Sequence, residues 1–213
     1  MSLTKRSTKG SALTFSEMDE NLTHLGGDGT YHNAGIRIGP PGTVLEMLAG
    51  HADGRTLVGH SGSYTLQNVT ANQVLTTTHT SIGLDIDYIP PTGTKTVLYE
   101  AQFQVRYNDA DPILHFKATW DGNDLEPSRS TFRVSAAGNH QVIYNLSVAI
   151  EVNASSVDVA KARIGAWTEA KTLSWTGRDY SSSFDGSLHT TNNWDGSGTD
   201  VFICPMLKIT AVA

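Results

Sequence analysis

Cysteine, charge and long apolar runs are all scarce in this 213-residue chain. Its single cysteine, Cys204, excludes an intrachain disulfide. None is needed, because a chain of this length hides about 70% of its unfolded surface and requires no covalent or metal staple. The apolar neighbours Val201, Phe202, Ile203, Met206 and Leu207 imply that the thiol is buried. Charged residues make up 17%, against about 25% in an average soluble chain. With 15 Lys and Arg against 21 Asp and Glu, the net charge is -6. The one basic cluster, Lys5, Arg6 and Lys9, is too small to neutralise a phosphate backbone, so a nucleic-acid partner is excluded. No stretch approaches the roughly 20 apolar residues of a membrane-spanning helix, and the first residues lack the apolar core of a secretory leader. The expectation is therefore no membrane insertion and folding in the cytoplasm. The sequons at Asn21, Asn68, Asn145 and Asn153 are then read as coincidence in an Asn-, Ser- and Thr-rich composition.

What stands in place of charge is hydroxyl: 19 Ser and 25 Thr, with 20 Gly. The chain changes character near residue 26. Thr14 and Glu17 have capping-box spacing, and Phe15, Met18, Leu22 and Leu25 then recur at helical intervals until Gly26 and Gly27. A helix of about three turns is unstable alone, so this seam packs on its own domain, on a partner protein or on copies of itself. Residues 1–27 thus read as an extended arm and one short helix. Residues 28–62, with Pro40–Pro41–Gly42 and short strands over 44–48 and 56–58, read as a connector.

Beyond Ser63 the period is two. Ile82, Leu84, Ile86 and Tyr88 form one apolar face; Val97, Tyr99, Ala101, Phe103, Val105 and Tyr107 form a second. Leu114 to Trp120 and Val142 to Val152 supply two more, and a last run spans 200–212. One-sided alternation marks antiparallel sheets with a solvated face, and the Asp-Gly pairs at Asp121, Asp185 and Asp195, with Pro112 and Pro127, mark turns. The fold class is mainly β: residues 63–213 form an antiparallel β-sandwich of jelly-roll type, preceded by the arm and helix. The stretch 157–167 fits either a strand or a short helix.

Few residues form a catalytic pattern. Gly59-His60-Ser61-Gly62-Ser63 misses the spacing of a nucleophile elbow and lacks the strand-to-helix turn that exposes such a serine. The eight histidines show no metal-ligand spacing, and the Asp121–Asp124 and Asp195–Asp200 loops lack a calcium-loop register. Asp85/Asp87 and Asp109/Asp111 share strand faces, an arrangement that suits glycoside hydrolysis only beside a deep groove. Neither enzyme chemistry, a metal nor a cofactor is expected. A richer pattern joins Trp175, Arg178, Asp179 and Tyr180 to Asn192, Asn193 and Trp194: flat rings beside short hydrogen-bonding groups, suited to a glycan or a protein surface. The competing reading is that both tryptophans cap the core.

The segment Lys9-Gly10-Ser11-Ala12-Leu13-Thr14-Phe15-Ser16-Glu17-Met18-Asp19-Glu20-Asn21-Leu22-Thr23-His24-Leu25 resembles the N-terminal segment of fibre and other appendage proteins of tailed bacteriophages, marine ones above all. Gly62-Ser63-Tyr64-Thr65-Leu66-Gln67-Asn68-Val69-Thr70-Ala71 ahead of a β-rich domain is similar to virion proteins of the same group. The resemblance implies a non-enzymatic structural protein, a homotrimer. Its N-terminal segment attaches to other virion proteins through Leu13, Phe15, Met18, Leu22 and Leu25, and its β domain faces outward from the particle toward the host surface. No shaft repeat is present, so a short fibre and a capsid-decoration or head-fibre protein both remain open, alongside a carbohydrate-binding β-sandwich module.

Overall fold

The computed structural model describes residues 41–107, 113–133, 140–182, 186–192, 196 and 198–213. The arm, the short helix and the seam Leu13, Phe15, Met18, Leu22 and Leu25 lie outside them. One compact unit runs from Val44 to Ala213.

That unit is a mainly antiparallel β-sandwich, as the alternation requires. The first sheet is organised on β7 (Thr96–Tyr107), whose twelve residues alternate strictly between core and surface. One edge of β7 pairs along its whole length with β10 (His140–Glu151). The other edge is shared by β15 (Met206–Val212), opposite Thr96 to Gln102, and β12 (Gly186–Leu188), opposite Val105 to Tyr107. β1 (Val44–His51), which the sequence places in the connector, pairs with β15 as an outer strand, and β4 (Gln73–Val74) pairs with β12.

The second sheet is organised on β11 (Lys171–Asp179). It pairs with β8 (Ile113–Trp120), which pairs with β9 (Asn123–Arg133). On its other side β11 meets β5 (Thr80–Ser81) and β6 (Ile86–Tyr88). Two small ribbons, β2 (Thr56–Val58) with β3 (Ser63–Thr65) and β13 (Thr190–Asn192) with β14 (Asp200–Phe202), complete the described strands.

Between the sheets lie Tyr99, Phe103 and Val105 of β7, Leu146 and Ile150 of β10, Phe116 of β8 and Trp175 of β11, all buried. Phe103, Phe116, Phe132 and Tyr144 form one tilted aromatic cluster with ring centroids 4.2–5.9 Å apart. Gly177 is required here: a Cβ at this position would lie 2.7 Å from Cε1 of Phe116.

Several expectations change. The face Ile82 to Tyr88 is buried throughout, but only Ile86–Tyr88 of it is a strand; Ile82 to Asp85 link β5 to β6, and Gly83 turns the backbone there at a φ of +77°. The run 200–212 breaks at Pro205 into β14 and β15, and Cys204 is only half-buried, its thiol beside the Pro205 carbonyl. Pro127 does not end a strand. β9 runs through it as an edge, the β8–β9 register slips between Phe116 and Ala118, and the Ser128 hydroxyl takes the Ala118 N–H at 2.7 Å. Asp121 and Gly122, both at positive φ, form the expected two-residue hairpin turn. The ambiguous stretch 157–167 contains a 3-10 turn, Val159–Lys161, capped by Asp158. Among the described residues no helix is long and apolar enough to cross a membrane.

Candidate functional site

The alternation along β11 sends Leu173, Trp175, Gly177 and Asp179 inward, and Thr172, Ser174, Thr176 and Arg178 outward. Six residue steps of extended chain run from Thr172 to Arg178, about 20 Å of strand. Pairing then sets the neighbours of each outward side chain. Thr172 lies opposite Asp87, Ser174 opposite Thr119, Thr176 between Ser81 and Lys117, and Arg178 opposite His115, with Thr131 beyond it. The outer face of the second sheet is thus a strip of hydroxyls with carboxylates at one end and nitrogen-bearing groups at the other.

At the carboxylate end a groove of about 520 Å³ is lined by Ser63, Thr65, Gln67, Asp85, Asp87 and Thr172. Gln67 clamps Asp85 from both sides: its Oε1 accepts the Asp85 N–H at 3.0 Å, and its Nε2 donates to the carboxylate at 3.3 Å. The same carboxylate accepts from the Ser81 hydroxyl at 2.8 Å and from Ser174. Thr172 donates to Asp87. Each carboxylate, hydroxyl and amide in this network is held by another, so the groove presents oriented acceptors and hydroxyls at little further entropic cost.

At the far end, Lys117 is ion-paired to Asp124 at 2.7 Å. Its ammonium hydrogen bond, offset in part by burial, holds the Asp124 carboxyl below the usual carboxylate range. His79 Nδ1 lies 3.3 Å from the Thr176 hydroxyl, and His115 Nδ1 lies 3.0 Å from that of Thr131. Burial, then the charges of Lys117 and Arg178, push the His79 imidazole down to about 4; burial and Arg178 lower that of His115. The His79 ring is therefore neutral at pH 7. Tyr180, 61% exposed, places its ring 6.3 Å from that of His115.

Of the residues expected to form a site, Arg178 and Tyr180 meet here. Asp179 does not join them: the two-residue period turns it into the interior, where it accepts the Gly186 N–H. Asn192 belongs to a different cluster, bonded to Asp200 and Gly198, with Gln141 receiving its N–H. Asn193 and Trp194 lie outside the described residues. Trp175 is fully buried against Tyr99, so one of the two tryptophans is a core residue.

Sequence reading missed His79, His115, Thr176 and Gln67. They come from four separate segments, and only the strand register joins them. Asp85 and Asp87 were visible as a same-face pair, but their groove was not.

The remaining motifs resolve structurally. The Ser61 hydroxyl donates to Glu46 at 2.7 Å and meets the Tyr64 hydroxyl, while Glu46 also takes the Ser61 N–H and the Tyr88 hydroxyl, both at 2.8 Å. This buried carboxylate ties the β2–β3 ribbon to the core, and the chain runs strand to strand there. Asp121 accepts an ion pair from Lys171 at 3.0 Å. Among the described residues no group of three or more His, Cys, Asp or Glu is arranged to hold a metal. A smaller cavity of about 230 Å³ on the outer face of the first sheet is lined by Gln102, Asn145, Ser147 and Lys208.

No protein-family model and no curated protein matches the chain. Among solved structures, the CBM22-1 xylan-binding domain of Xyn10C from Paenibacillus barcinonensis aligns at 12% identity over 82% of this chain and 97% of that one, with a TM-score of 0.25. A CBM4 structure aligns at 10% identity over 78% and 92%, with a TM-score of 0.19. Likenesses this loose transfer no site.

Proposed function

We propose that this chain is a glycan-binding β-sandwich that acts by binding alone, carried outward on a tailed-phage particle as a trimeric appendage attached by its N-terminal segment. The observation that supports binding is the outward strip of β11. Along about 20 Å, Thr172, Ser174 and Thr176 line up with Asp85, Asp87 and Gln67 on one side and Tyr180 beyond the other end. Hydroxyls and carboxylates fixed by one another suit sugar hydroxyls, and an exposed ring gives a pyranose face apolar contact. The attachment reading rests on the KGSALT segment and the apolar seam that follows it.

A glycan array tests binding, followed by Ser174→Arg, which blocks the middle of the strip, and Ser147→Arg, which blocks the outer face of the first sheet. Binding lost in the first variant and kept in the second supports the reading. The reverse pattern, or no glycan bound by the wild-type chain, overturns it. Deletion of residues 1–27 tests attachment: particles that still carry the protein at wild-type occupancy would refute it.

A further inference from the structure

We propose that the Arg178 end of this strip is an anion subsite, which makes the preferred glycan an acidic one bearing a carboxylate or a sulfate; the inference rests on the glycan-binding reading above. The cationic groups elsewhere on the sheet surfaces show what a purely structural face looks like. Lys117 pairs with Asp124, Lys208 with Glu100 on the adjacent strand, Arg106 with Asp200, and Lys171 with Asp121 and Glu169. Arg178 breaks this pattern. Among the described residues no carboxylate lies within ion-pairing distance of it; its one hydrogen bond is a long one, from Nη1 to the Thr77 carbonyl at 3.5 Å, and its Nε is covered and without a partner.

Its cross-strand neighbour is His115 rather than an acid. Burial and the Arg178 charge hold that ring toward its neutral form, so it supplies the guanidinium with no counter-charge. His115 leaves a second covered nitrogen, Nε2, unsatisfied. Arg106 also has an unpartnered Nε but is held by Asp200, so Arg178 differs in lacking any carboxylate partner. The nearest other cation on the strip, Lys117, is already paired with Asp124, and Arg129 is paired with Asp124 and Glu126. Arg178 offers a planar fork for a carboxylate or sulfate, Thr176 and Thr131 offer hydroxyls, and the exposed Tyr180 ring borders the site. One guanidinium without a counter-ion at the end of a hydroxyl strip fits a single charged substituent on a sugar and falls far short of a polyphosphate track.

The test measures binding of the full chain, at 0.15 M NaCl, to three probes of matched length: a polygalacturonate fragment (carboxylate only), a sulfated galactan fragment (sulfate only) and a neutral galactan fragment. The wild-type chain is expected to bind one acidic probe roughly ten- to a hundredfold more tightly than the neutral one. Arg178→Gln is expected to collapse that ratio toward one, with Arg178→Lys between them, at unchanged melting temperature. Which acidic probe wins identifies the anion. Equal affinity for acidic and neutral probes, or an acidic preference that survives Arg178→Gln, overturns the subsite while leaving glycan binding intact. No binding of any probe or arrayed glycan overturns both.

Discussion

His189 sets an acid limit on the fold. It is fully buried at a φ of +61°, its Nε2 lies 2.9 Å from the Ile82 carbonyl, and its ring edges against Phe103 at 6.3 Å. The carbonyl requires Nε2 to carry the proton, and Nδ1 is buried without a partner, so the native ring is neutral. Burial, partly offset by the Ile82 hydrogen bond, pushes the imidazole from 6.5 down to about 4. In the unfolded chain the same group titrates near 6.5. Between those values the unfolded state binds the extra proton, so the stability this residue contributes is full above pH 6.5 and is lost as the pH falls through 4. The difference is worth about 3 kcal/mol, or roughly 6–12 °C of melting temperature at this size. Urea unfolding at pH 7, 6, 5 and 4 measures it. His189→Gln keeps an N–H for Ile82 and cannot titrate, so the wild-type chain should lose about 3 kcal/mol more than the variant over that range. Parallel pH profiles for the two proteins would refute the assignment. Lowered carboxylates such as Asp124 respond in both proteins, and at lower pH, so the comparison removes them.

Gly177→Ala should destabilise by about 1–3 kcal/mol, because its Cβ enters the Phe116 ring; an unchanged urea midpoint would show that the sheets can part there. Ser128→Ala leaves the Ala118 N–H in the bulge unpaired and should cost about 1–3 kcal/mol, with faster amide exchange at Ala118 as the local readout. Glu46→Ala should cost about 3 kcal/mol by stranding the Tyr88 hydroxyl and freeing the 59–62 loop, seen as lost amide protection at Ser61. Protection retained at Ser61 would mean that the ribbon holds without the carboxylate.

The long strands were legible because burial on one face imposes a period of two that no other constraint disturbs. β7 and β10 follow their apolar residues almost residue for residue, except that Val142 and Ile143, at the start of β10, remain partly exposed. The short strands were not legible. Gly83 and Pro205 interrupt apolar runs that alternation alone presents as continuous. The site was half legible for a similar reason. Arg178 and Tyr180 share a face by period alone, whereas Asp179 was misread because proximity in sequence conceals the inward turn of every second residue. His79 and His115 reach Arg178 only through pairing between distant strands, which a single sequence does not encode locally.

Amide chemical-shift mapping of the isotopically labelled chain, with a glycan that it captures on an array, locates the binding surface that we propose on the outward strip of β11. Shifts concentrated at Thr172, Ser174, Thr176 and Arg178 and at their neighbours His115 and Lys117 are expected. Shifts centred instead on Gln102, Asn145 and Ser147 of the first sheet, or on Asn192 and Asp200, would contradict that placement.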